Sequence, residues 1–196
     1  TGIVFNGEIF NHRNLRRELE NQGIVFSTSH SDSEVVLLGL SYYGLDYVKK
    51  FIGQFSIVFI DFKTQQVTLI RDRLGQKPLF YHSDGDDLFF SSNLKSLLKL
   101  KGEFQIDENN LYEYLNFGVI PAPNTLFKRF KKVEPGTYLT FDFNISRLSS
   151  KKTEYWNPET LVNNNKFKKD DFMELFNDSV LLRLDSDVPY ANFLSG

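Results

Sequence analysis

Apolar residues recur at helical spacing in several stretches of the chain. Residues 11–23, NHRNLRRELENQG, place Leu15 and Leu19 one turn apart and end in a glycine, so they predict a largely polar helix. Residues 31–44 open with a serine and a glutamate at the spacing of a capping box and continue as an apolar run, which predicts a buried helix. The same spacing predicts further helical segments just after residue 44 and over residues 94–100, 108–118 and 169–184.

Runs rich in β-branched and aromatic residues alternate with these helices. Within residues 55–72 two such runs flank KTQQ, and within residues 78–92 two more flank SDGDD. Each pair predicts an antiparallel hairpin, because the separating residues are typical of turns. The remaining strand-like runs are residues 1–5, 23–27, 136–144 and 153–156.

The character of the sequence changes after the first 156 residues. Residues 157–168 are polar and poor in strand-forming residues, which predicts a linker. Residues 188–196, VPYANFLSG, then read as a strand that enters a glycine turn. We therefore predict an α+β domain with antiparallel hairpins over residues 1–156 and the beginning of an α/β domain over residues 169–196.

Composition narrows the functional classes. The 196 residues are 41% hydrophobic and carry a net charge of -2, so we expect no general attraction to nucleic acid or to an anionic membrane. The sequence contains no cysteine, which excludes disulfides and thiolate metal sites in these residues and fits a cytoplasmic location. No apolar run approaches the length of a membrane span. Because the first residue is Thr1 and the last is Gly196, we expect an internal piece of a longer protein.

The stretch Asn6-Gly7-Glu8 supports two interpretations. An Asn-Gly pair between apolar arms is a strong signal for a tight hairpin, and on pattern alone we favour a turn followed by a solvated acid. In the alternative, the Asn6 amide and the Gly7 N–H supply the two donors that an oxyanion hole needs. Glu8, for which a hairpin has no need, would then bind a substrate ammonium group.

Asp32 also has two interpretations. It stands at the start of the predicted 31–44 helix, where a carboxylate caps free N–H groups and suits the helix dipole. A role in binding requires its side chain to point away from that helix.

Several other features are weak signals by themselves. RDRLGQKPL (71–79) predicts a structured loop with an Arg–Asp pair, and the basic cluster FKRFKK (127–132) predicts a solvated face. FLSG (193–196) resembles the start of a phosphate-binding loop, in which backbone N–H groups hold an anion. We assign the histidines to surface positions without a metal: His12, His30 and His82.

Read together and in order, short blocks of the sequence resemble the glutamine-hydrolysing asparagine synthases. The similarity spans almost the whole chain, and the order and spacing of the blocks make it specific. The blocks are FNGEIFNHRNLRREL, SDSEVVL, GQFSIVFID, RDRLGQKPLFY, FGVIPAPNTLFK, PGTYL, YW and SDVPYANFLSG.

The resemblance implies a two-domain amidotransferase. Residues 1–156 would be a class II glutaminase domain that lacks its N-terminal portion and has the αββα fold of the N-terminal-nucleophile hydrolases. In this family an N-terminal Cys, with its own α-amino group as the base, attacks glutamine and releases ammonia through a thioester. Residues 169–196 would open the synthetase domain, which uses ATP and Mg²⁺ to adenylate a carboxylate, usually that of aspartate, for attack by ammonia.

The glutamine site follows from the same resemblance. Asn6, through its side chain, and Gly7, through its backbone N–H, would form the oxyanion hole. Both would also bind glutamine, together with Glu8 and Asp32, whose carboxylates would face its α-ammonium group.

The ATP site would begin at the end of the chain. Leu194 would line the adenine site, and Ser195 and Gly196 would open the pyrophosphate loop. We expect the partners to be small molecules (glutamine, ATP and aspartate), with no metal, nucleic acid or membrane bound by these residues. The resemblance is compatible with a homodimer.

Some residues depart from the family pattern. Without a cysteine, residues 1–196 alone are expected to be inactive as a glutaminase. Asn93 stands where relatives have Glu, and Ala191 where many have Gly. These departures leave two alternatives: a divergent member that amidates another carboxylate, such as a glycan acid, or that has an inactive glutaminase; and a non-catalytic binding or scaffold domain.

Overall fold

A computed structural model of the chain describes residues 1–102, 104–144, 148–161, 168–184, 189 and 191. The α-helices are α1 (His12–Asn21), α2 (Asp32–Tyr43), α3 (Leu94–Lys101), α4 (Glu108–Phe117) and α5 (Lys169–Leu181). The strands are β1 (Gly2–Ile9), β2 (Gly53–Asp61), β3 (Gln66–Arg71), β4 (Phe80–Asp84), β5 (Asp87–Ser91), β6 (Lys131–Lys132), β7 (Thr137–Asp142) and β8 (Ser150–Glu154). Short 3₁₀ helices cover Leu45–Lys50 and Pro158–Leu161.

The strands form two antiparallel sheets. The larger sheet has the order β1-β2-β3-β7-β8, and the smaller has the order β5-β4-β6. The β2–β3 and β4–β5 pairs confirm the hairpins predicted within residues 55–72 and 78–92. Among the described strands, β1 pairs with β2 alone and is therefore an edge strand.

The sheets and helices stack in layers. One buried cluster lies between α1, α2 and the large sheet, and its members Leu19, Val35 and Ile57 are no more than 1% exposed. A second cluster lies between the two sheets, where the rings of Tyr81 in β4 and Phe141 in β7 meet edge to face at 5.8 Å. Helix α3 contacts β4 and β5 and covers the small sheet. This order of helices, sheet, sheet and helix is the predicted αββα arrangement.

A run of aromatic rings crosses the first cluster. Tyr43 stacks on Tyr47 at 5.4 Å between ring centroids, Tyr47 meets the edge of Phe51 at 5.7 Å, and Phe51 meets Phe55 at 5.8 Å. Phe51 and Phe55 are each 1% exposed. Full burial of such a side chain stabilises the fold by about 2–3 kcal/mol, so this run ties α2 and the 3₁₀ helix to β2.

The turn predicted at Asn6-Gly7 is wrong. Asn6 pairs with Ser56 and Gly7 pairs with Phe55, so strand β1 continues through both residues to Ile9. Gly7 does have the positive φ that the pattern suggested, at 147°. This residue lies inside an extended strand and not in a chain reversal. The element that follows β1 is helix α1, so no second hairpin strand follows directly.

The strand predicted at residues 23–27 is also wrong. This segment belongs to the irregular connection between α1 and α2, and its backbone makes no ladder with another strand. The carboxylate of Glu34 accepts hydrogen bonds from the N–H groups of Ser27 at 2.6 Å and Thr28 at 2.9 Å. Earlier in the segment, the N–H groups of Gly23 and Ile24 donate to carbonyls of α1, of Glu20 at 2.9 Å and Leu19 at 3.1 Å, so these backbone donors are satisfied without a strand partner.

The last part of the chain follows the predictions in part. Strand β8 begins earlier than the predicted run at residues 153–156, and β6 lies in the basic cluster where no strand was predicted. Helix α5 confirms the helix predicted at residues 169–184. The predicted strand at residues 188–196 falls almost wholly outside the described residues, and the division into domains stays a prediction. None of the described helices is long and apolar enough to cross a membrane.

The loop after β3 is built around a buried carboxylate. Asp72 is 0% exposed, and its Oδ2 accepts hydrogen bonds from the N–H groups of Phe55 at 3.2 Å and Lys77 at 2.9 Å. Its Oδ1 accepts from Leu74 at 3.1 Å and Gln76 at 2.9 Å. Four backbone donors therefore converge on one side chain, which closes the loop and joins it to β2.

Arg71 holds the other side of this loop. Its guanidinium donates hydrogen bonds to the carbonyls of Lys77 at 3.0 Å, Val133 at 2.7 Å and Gly75 at 2.7 Å. Burial lowers the pKa of Arg71. The predicted Arg–Asp pair is therefore wrong in detail, because both charged side chains bind backbone groups instead of each other.

We expect Asp72→Asn to destabilise the fold by about 3 kcal/mol, because an amide can accept from only one side and turns its NH₂ toward the remaining N–H donors. Thermal or urea unfolding measures the change. Asp61→Asn is the matched control: Asp61 also accepts from two backbone N–H groups, of Lys63 and Thr64, but in an exposed turn. An equal loss in both variants would contradict the special role of Asp72.

Candidate functional site

The predicted site residues of β1 lie on the face of the large sheet that turns toward the small sheet. Side chains alternate along a strand, so Asn6 and Glu8 share the face of Val4, which pairs with Val58 of the inter-sheet cluster. Ile9 and Phe5 point to the opposite, helix-covered face. Within the described part of the chain, the side chains of Asn6 and Glu8 make no hydrogen bond or ion pair. Both are therefore available to a ligand.

The backbone of β1 offers a second set of groups along its open edge. The N–H of Phe10 donates to the carbonyl of Ile52 at 2.8 Å, toward the partner strand, whereas the N–H of Ile9 donates to Oδ2 of Asp32 at 3.2 Å, away from it. Because N–H directions alternate in an antiparallel ladder, the N–H of Gly7 faces the same open edge as that of Ile9. The two N–H groups lie about 7 Å apart along the strand.

The glycine at position 7 is required by a close approach of two backbones. A Cβ built on Gly7 would overlap the carbonyl oxygen of Gln54 and would lie 2.6 Å from Cα of Phe55. The φ of 147° adds a conformation that other residues rarely adopt. Gly7 thus lets β1 lie against β2 while its N–H stays directed to the open edge.

Asp32 does not cap its own helix. The cap of α2 is Ser31, whose Oγ accepts a hydrogen bond from the N–H of Glu34 at 3.2 Å. Asp32 instead turns its carboxylate to the N–H of Ile9, which places it beside the open edge of β1. The condition for a binding role, a side chain that points away from the helix, is therefore met.

A buried arginine holds the segment that leads to Asp32. Arg16 of α1 is 9% exposed, and its guanidinium donates to the carbonyl of Thr28 at 2.7 Å and lies 4.0 Å from the ring centroid of Phe26. Glu34 of α2 lies 3.8 Å from the same guanidinium. We call Arg16, Thr28 and Glu34 the α2 clamp, because together they fix the N-terminal end of α2.

The electrostatics of the α2 clamp favour an ionised glutamate. The hydrogen bonds from the Thr28 hydroxyl and the Ser27 N–H lower the pKa of Glu34, and Arg16 adds to this effect. In a capping box, the Glu34 carboxylate would accept a hydrogen bond from the N–H of Ser31. Here it accepts from Ser27 and Thr28 instead. Sequence spacing identified Ser31 and Glu34 as a pair but gave no signal for Arg16.

The arrangement offers donors and acids within one region. An amide side chain and a backbone N–H, from Asn6 and Gly7, suit the negative oxygen that forms when a carbonyl is attacked. The carboxylates of Glu8 and Asp32 suit a cation, such as an ammonium group. The functional assignment of these residues stays a prediction. In the described part of the chain, no group of His, Asp and Glu side chains is arranged to hold a metal ion.

Other predicted residues lie elsewhere. Leu194, Ser195 and Gly196 fall outside the described residues. The surface assignment of the histidines is wrong for His82, which is 4% exposed because its ring stacks on Phe130 at 4.9 Å between centroids. Asn93, one of the departures from the family pattern, caps α3 by accepting a hydrogen bond from the N–H of Lys95 at 2.9 Å.

The fold is that of the N-terminal-nucleophile type of glutamine amidotransferase. A solved structure with the same fold is glutamine phosphoribosylpyrophosphate amidotransferase from B. subtilis, complexed with ADP and GMP. It matches 79% of this chain and 29% of its own, with a TM-score of 0.54 and 22% sequence identity. At this identity the likeness concerns the fold alone.

The sequence matches the glutamine amidotransferase domain family over residues 1–156, and the chain belongs to that family. It is 36% identical over 99% of its length to asparagine synthetase [glutamine-hydrolyzing] 1 of Bacillus subtilis (strain 168), and covers 30% of that protein. It is 34% identical over 99% of its length to a putative asparagine synthetase [glutamine-hydrolyzing] 2 of Methanocaldococcus jannaschii, and covers 38% of it. The chain thus spans roughly a third of the length of these relatives.

We expect Gly7→Ala to destabilise the protein by about 3 kcal/mol or more, since the added methyl group overlaps the β2 backbone, which cannot move without breaking the ladder. Gly2→Ala, in the same strand, is the matched control. A Cβ at Gly2 would meet only the Phe62 ring, at 3.5 Å, an ordinary contact. Urea unfolding of both variants measures the difference, and equal midpoints would refute the close approach at Gly7.

We expect Glu34→Gln to change how the free energy of unfolding depends on pH in the acidic range. The folded pKa of Glu34 is lowered, so its stabilising effect is complete above the unfolded value of about 4.5 and is lost as the pH falls through the lower folded value. Glu34→Gln should therefore cost about 1–2 kcal/mol at pH 7 and much less at pH 3. Glu20→Gln, at an exposed position 3.7 Å from the same arginine, is the control. A loss that is the same at both pH values would contradict this explanation.

Proposed function

We propose that the protein containing this chain is a glutamine-dependent amidotransferase, in which these residues bind glutamine and supply ammonia for the ATP-dependent synthesis of asparagine from aspartate. The glutamine-dependent amidotransfer is inferred from the family to which the chain belongs. The synthesis of asparagine is inferred from the relatives, which are asparagine synthetases and extend well beyond the matched region.

The open edge of β1 is the observation that carries the proposal. It combines an unengaged Asn6 amide, a Gly7 N–H that faces outward, and two carboxylates from separate elements. The close approach that requires a glycine at position 7 leaves its N–H directed to this edge. The carboxylate of Asp32 turns to the same edge, while Ser31 caps α2.

In the proposed reaction a cysteine thiolate attacks the side-chain carbonyl carbon of glutamine. The carbonyl oxygen becomes negative, and the Asn6 amide and Gly7 N–H donate hydrogen bonds to it. Collapse of this intermediate, with the proton lost by the thiol returned to the amide nitrogen, releases ammonia and leaves a thioester, which water hydrolyses to glutamate and the free thiol. The 196 residues contain no cysteine, so we propose that the nucleophile belongs to a part of the protein outside them.

The carboxylates orient the substrate. Glu8 lies next to the oxyanion donors in sequence, and Asp32 reaches the same edge at the N–H of Ile9. Together they would hold the α-ammonium group of glutamine, while its side chain runs along the strand toward Gly7. The separation of about 7 Å between the N–H groups of Gly7 and Ile9 is comparable with the length of an extended glutamine.

The acceptor half of the reaction lies outside the described residues. ATP with Mg²⁺ would activate the acceptor carboxylate for attack by ammonia, and we propose that Leu194, Ser195 and Gly196 contribute to its site. Aspartate as the acceptor is inferred from the names of the relatives. An assay of ATP turnover to AMP with a panel of carboxylates, with free ammonia as the nitrogen source, tests this half separately.

We expect Asn6→Ala in the intact protein to reduce kcat for glutamine hydrolysis by about 10²-fold or more, the usual effect of losing one oxyanion donor. Synthesis from free ammonia should be unchanged, because Asn6 serves only the glutaminase step. Asn21→Ala, at the exposed end of α1, is the matched control and should leave both rates unaltered.

The outcomes separate the alternatives. Unchanged glutamine hydrolysis in Asn6→Ala would refute the oxyanion role. ATP turnover without any glutamine hydrolysis in the unaltered protein would identify a relative with an inactive glutaminase. The absence of both activities would favour a binding or scaffold domain.

A further inference from the structure

A second cavity lies on the outer face of the small sheet, away from the edge of β1. Tyr81 points inward to Phe141 of the large sheet, so His82, the next residue of β4, points outward. There it borders a cavity of about 930 Å³, within the size range of small-molecule sites. The cavity is lined by His82, Asp84, Gly102, Phe104, Gln105, Lys128, Arg129 and Phe130.

The imidazole of His82 presents a free nitrogen to this cavity. Its Nδ1 lies 3.0 Å from the carbonyl oxygen of Arg129, and since a carbonyl only accepts, Nδ1 carries the proton. Nε2 has no partner among the described residues, and it is not among their buried unsatisfied atoms. His82 is 4% exposed as a residue, so the small exposed part includes Nε2. This nitrogen can accept a hydrogen bond from a ligand hydroxyl or, in the imidazolium form, donate one to an anion.

The loop that forms one wall of the cavity is held in place. Oγ1 of Thr125, which is 1% exposed, donates toward the carbonyls of Phe127 at 3.0 Å and Phe130 at 2.8 Å. The N–H of Lys128 donates to the carbonyl of Gln105 at 2.9 Å, which ties the loop to the opposite wall. The cavity is therefore formed by fixed backbone, before any ligand binds.

Arg129 occupies a conformation that a glycine would adopt at lower cost. Its φ is 69°, in the left-handed region that side chains with a Cβ disfavour. A residue held in such a region indicates a functional constraint when the surrounding structure enforces it. Here the carbonyl of Arg129 holds His82, and Arg129, an exposed residue, lines the cavity together with Lys128.

The charged residues that the structure describes around the cavity favour an anion. Lys128 and Arg129 have no carboxylate partner among the described residues, and Asp84, which also lines the cavity, already has a partner within the protein. Phe104 and Phe130 add apolar surface to its lining. A phosphoryl group carries nearly two negative charges and several acceptor oxygens, which matches two cations and one imidazole nitrogen.

We propose that this cavity binds a phosphate monoester with a planar or apolar body. Lys128 and Arg129 hold the phosphate oxygens, Nε2 of His82 binds one of them or its hydroxyl, and the aromatic walls receive the rest of the molecule. The site lies on β4 of the small sheet and shares no residue with the glutamine site on β1, so it stands or fails independently of the proposed function.

Isothermal titration of the intact protein with phenyl phosphate and with inorganic phosphate tests the proposal. We expect phenyl phosphate to bind at least tenfold more tightly than inorganic phosphate, because only the ester reaches the aromatic walls. Arg129→Gly should weaken binding tenfold or more while leaving the thermal midpoint equal or higher, since glycine relieves the φ of 69°. Loss of binding without loss of stability separates a ligand role from a structural one.

Lys128→Gln is the second variant and should also weaken binding tenfold or more. Lys63→Gln, an exposed lysine in the β2–β3 turn, is the control and should bind as the unaltered protein does. Binding that persists undiminished in both Lys128→Gln and Arg129→Gly would place the ligand elsewhere and overturn the proposal. So would the absence of phenyl phosphate binding at millimolar concentration, and equal affinity for the two probes would refute the role of the aromatic walls.

Discussion

The convergence of four backbone N–H groups on the buried carboxylate of Asp72 is the constraint on which the rest of the structure depends. Asp72 stands where β3 ends, and its side chain, rather than its own carbonyl, receives the N–H of Phe55 at the start of β2. The carbonyl thus released accepts from Gly75 at 3.1 Å and from Gly136, which precedes β7, at 3.0 Å. One residue therefore joins three strands of the large sheet and closes the loop between the sheets.

This constraint reaches the candidate glutamine site through a single strand pair. Phe55, whose N–H and carbonyl both bind Asp72, is the residue opposite Gly7. Because Gly7 lies in contact with the β2 backbone, the position of its outward N–H is set by the position of Phe55. On the other side, Asp32 binds the N–H of Ile9 and is itself held by the α2 clamp. The donors and acids at the edge of β1 are thus positioned by two buried charged groups, Asp72 and Arg16.

The local sequence pattern predicted those helices and hairpins that short-range interactions determine. Leu15 and Leu19 mark α1, and the turn residues of the two hairpins mark where their strands meet. The Asn6-Gly7 pair led to the wrong prediction of a turn, because a glycine with positive φ occurs both in tight turns and where two strands approach closely. The contact with the backbone of Gln54, which is distant in sequence, distinguishes the two cases. His82 has polar and aromatic neighbours typical of a surface, and its burial depends on Phe130, far along the chain. The resemblance predicts which residues bind glutamine, but not the contacts that position them.

An edge strand is usually a liability, because its unpaired N–H and C=O groups invite pairing with another chain. In β1 the outward N–H of Ile9 is already taken by Asp32, which shortens the row available for such pairing. The outward N–H of Gly7 stays open, beside the polar side chains of Asn6 and Glu8. The edge of β1 is thus blocked at Ile9 and open two residues earlier, at Gly7. The contact that discourages strand addition at Ile9 therefore also brings the carboxylate of Asp32 to the edge on which the N–H of Gly7 stays open.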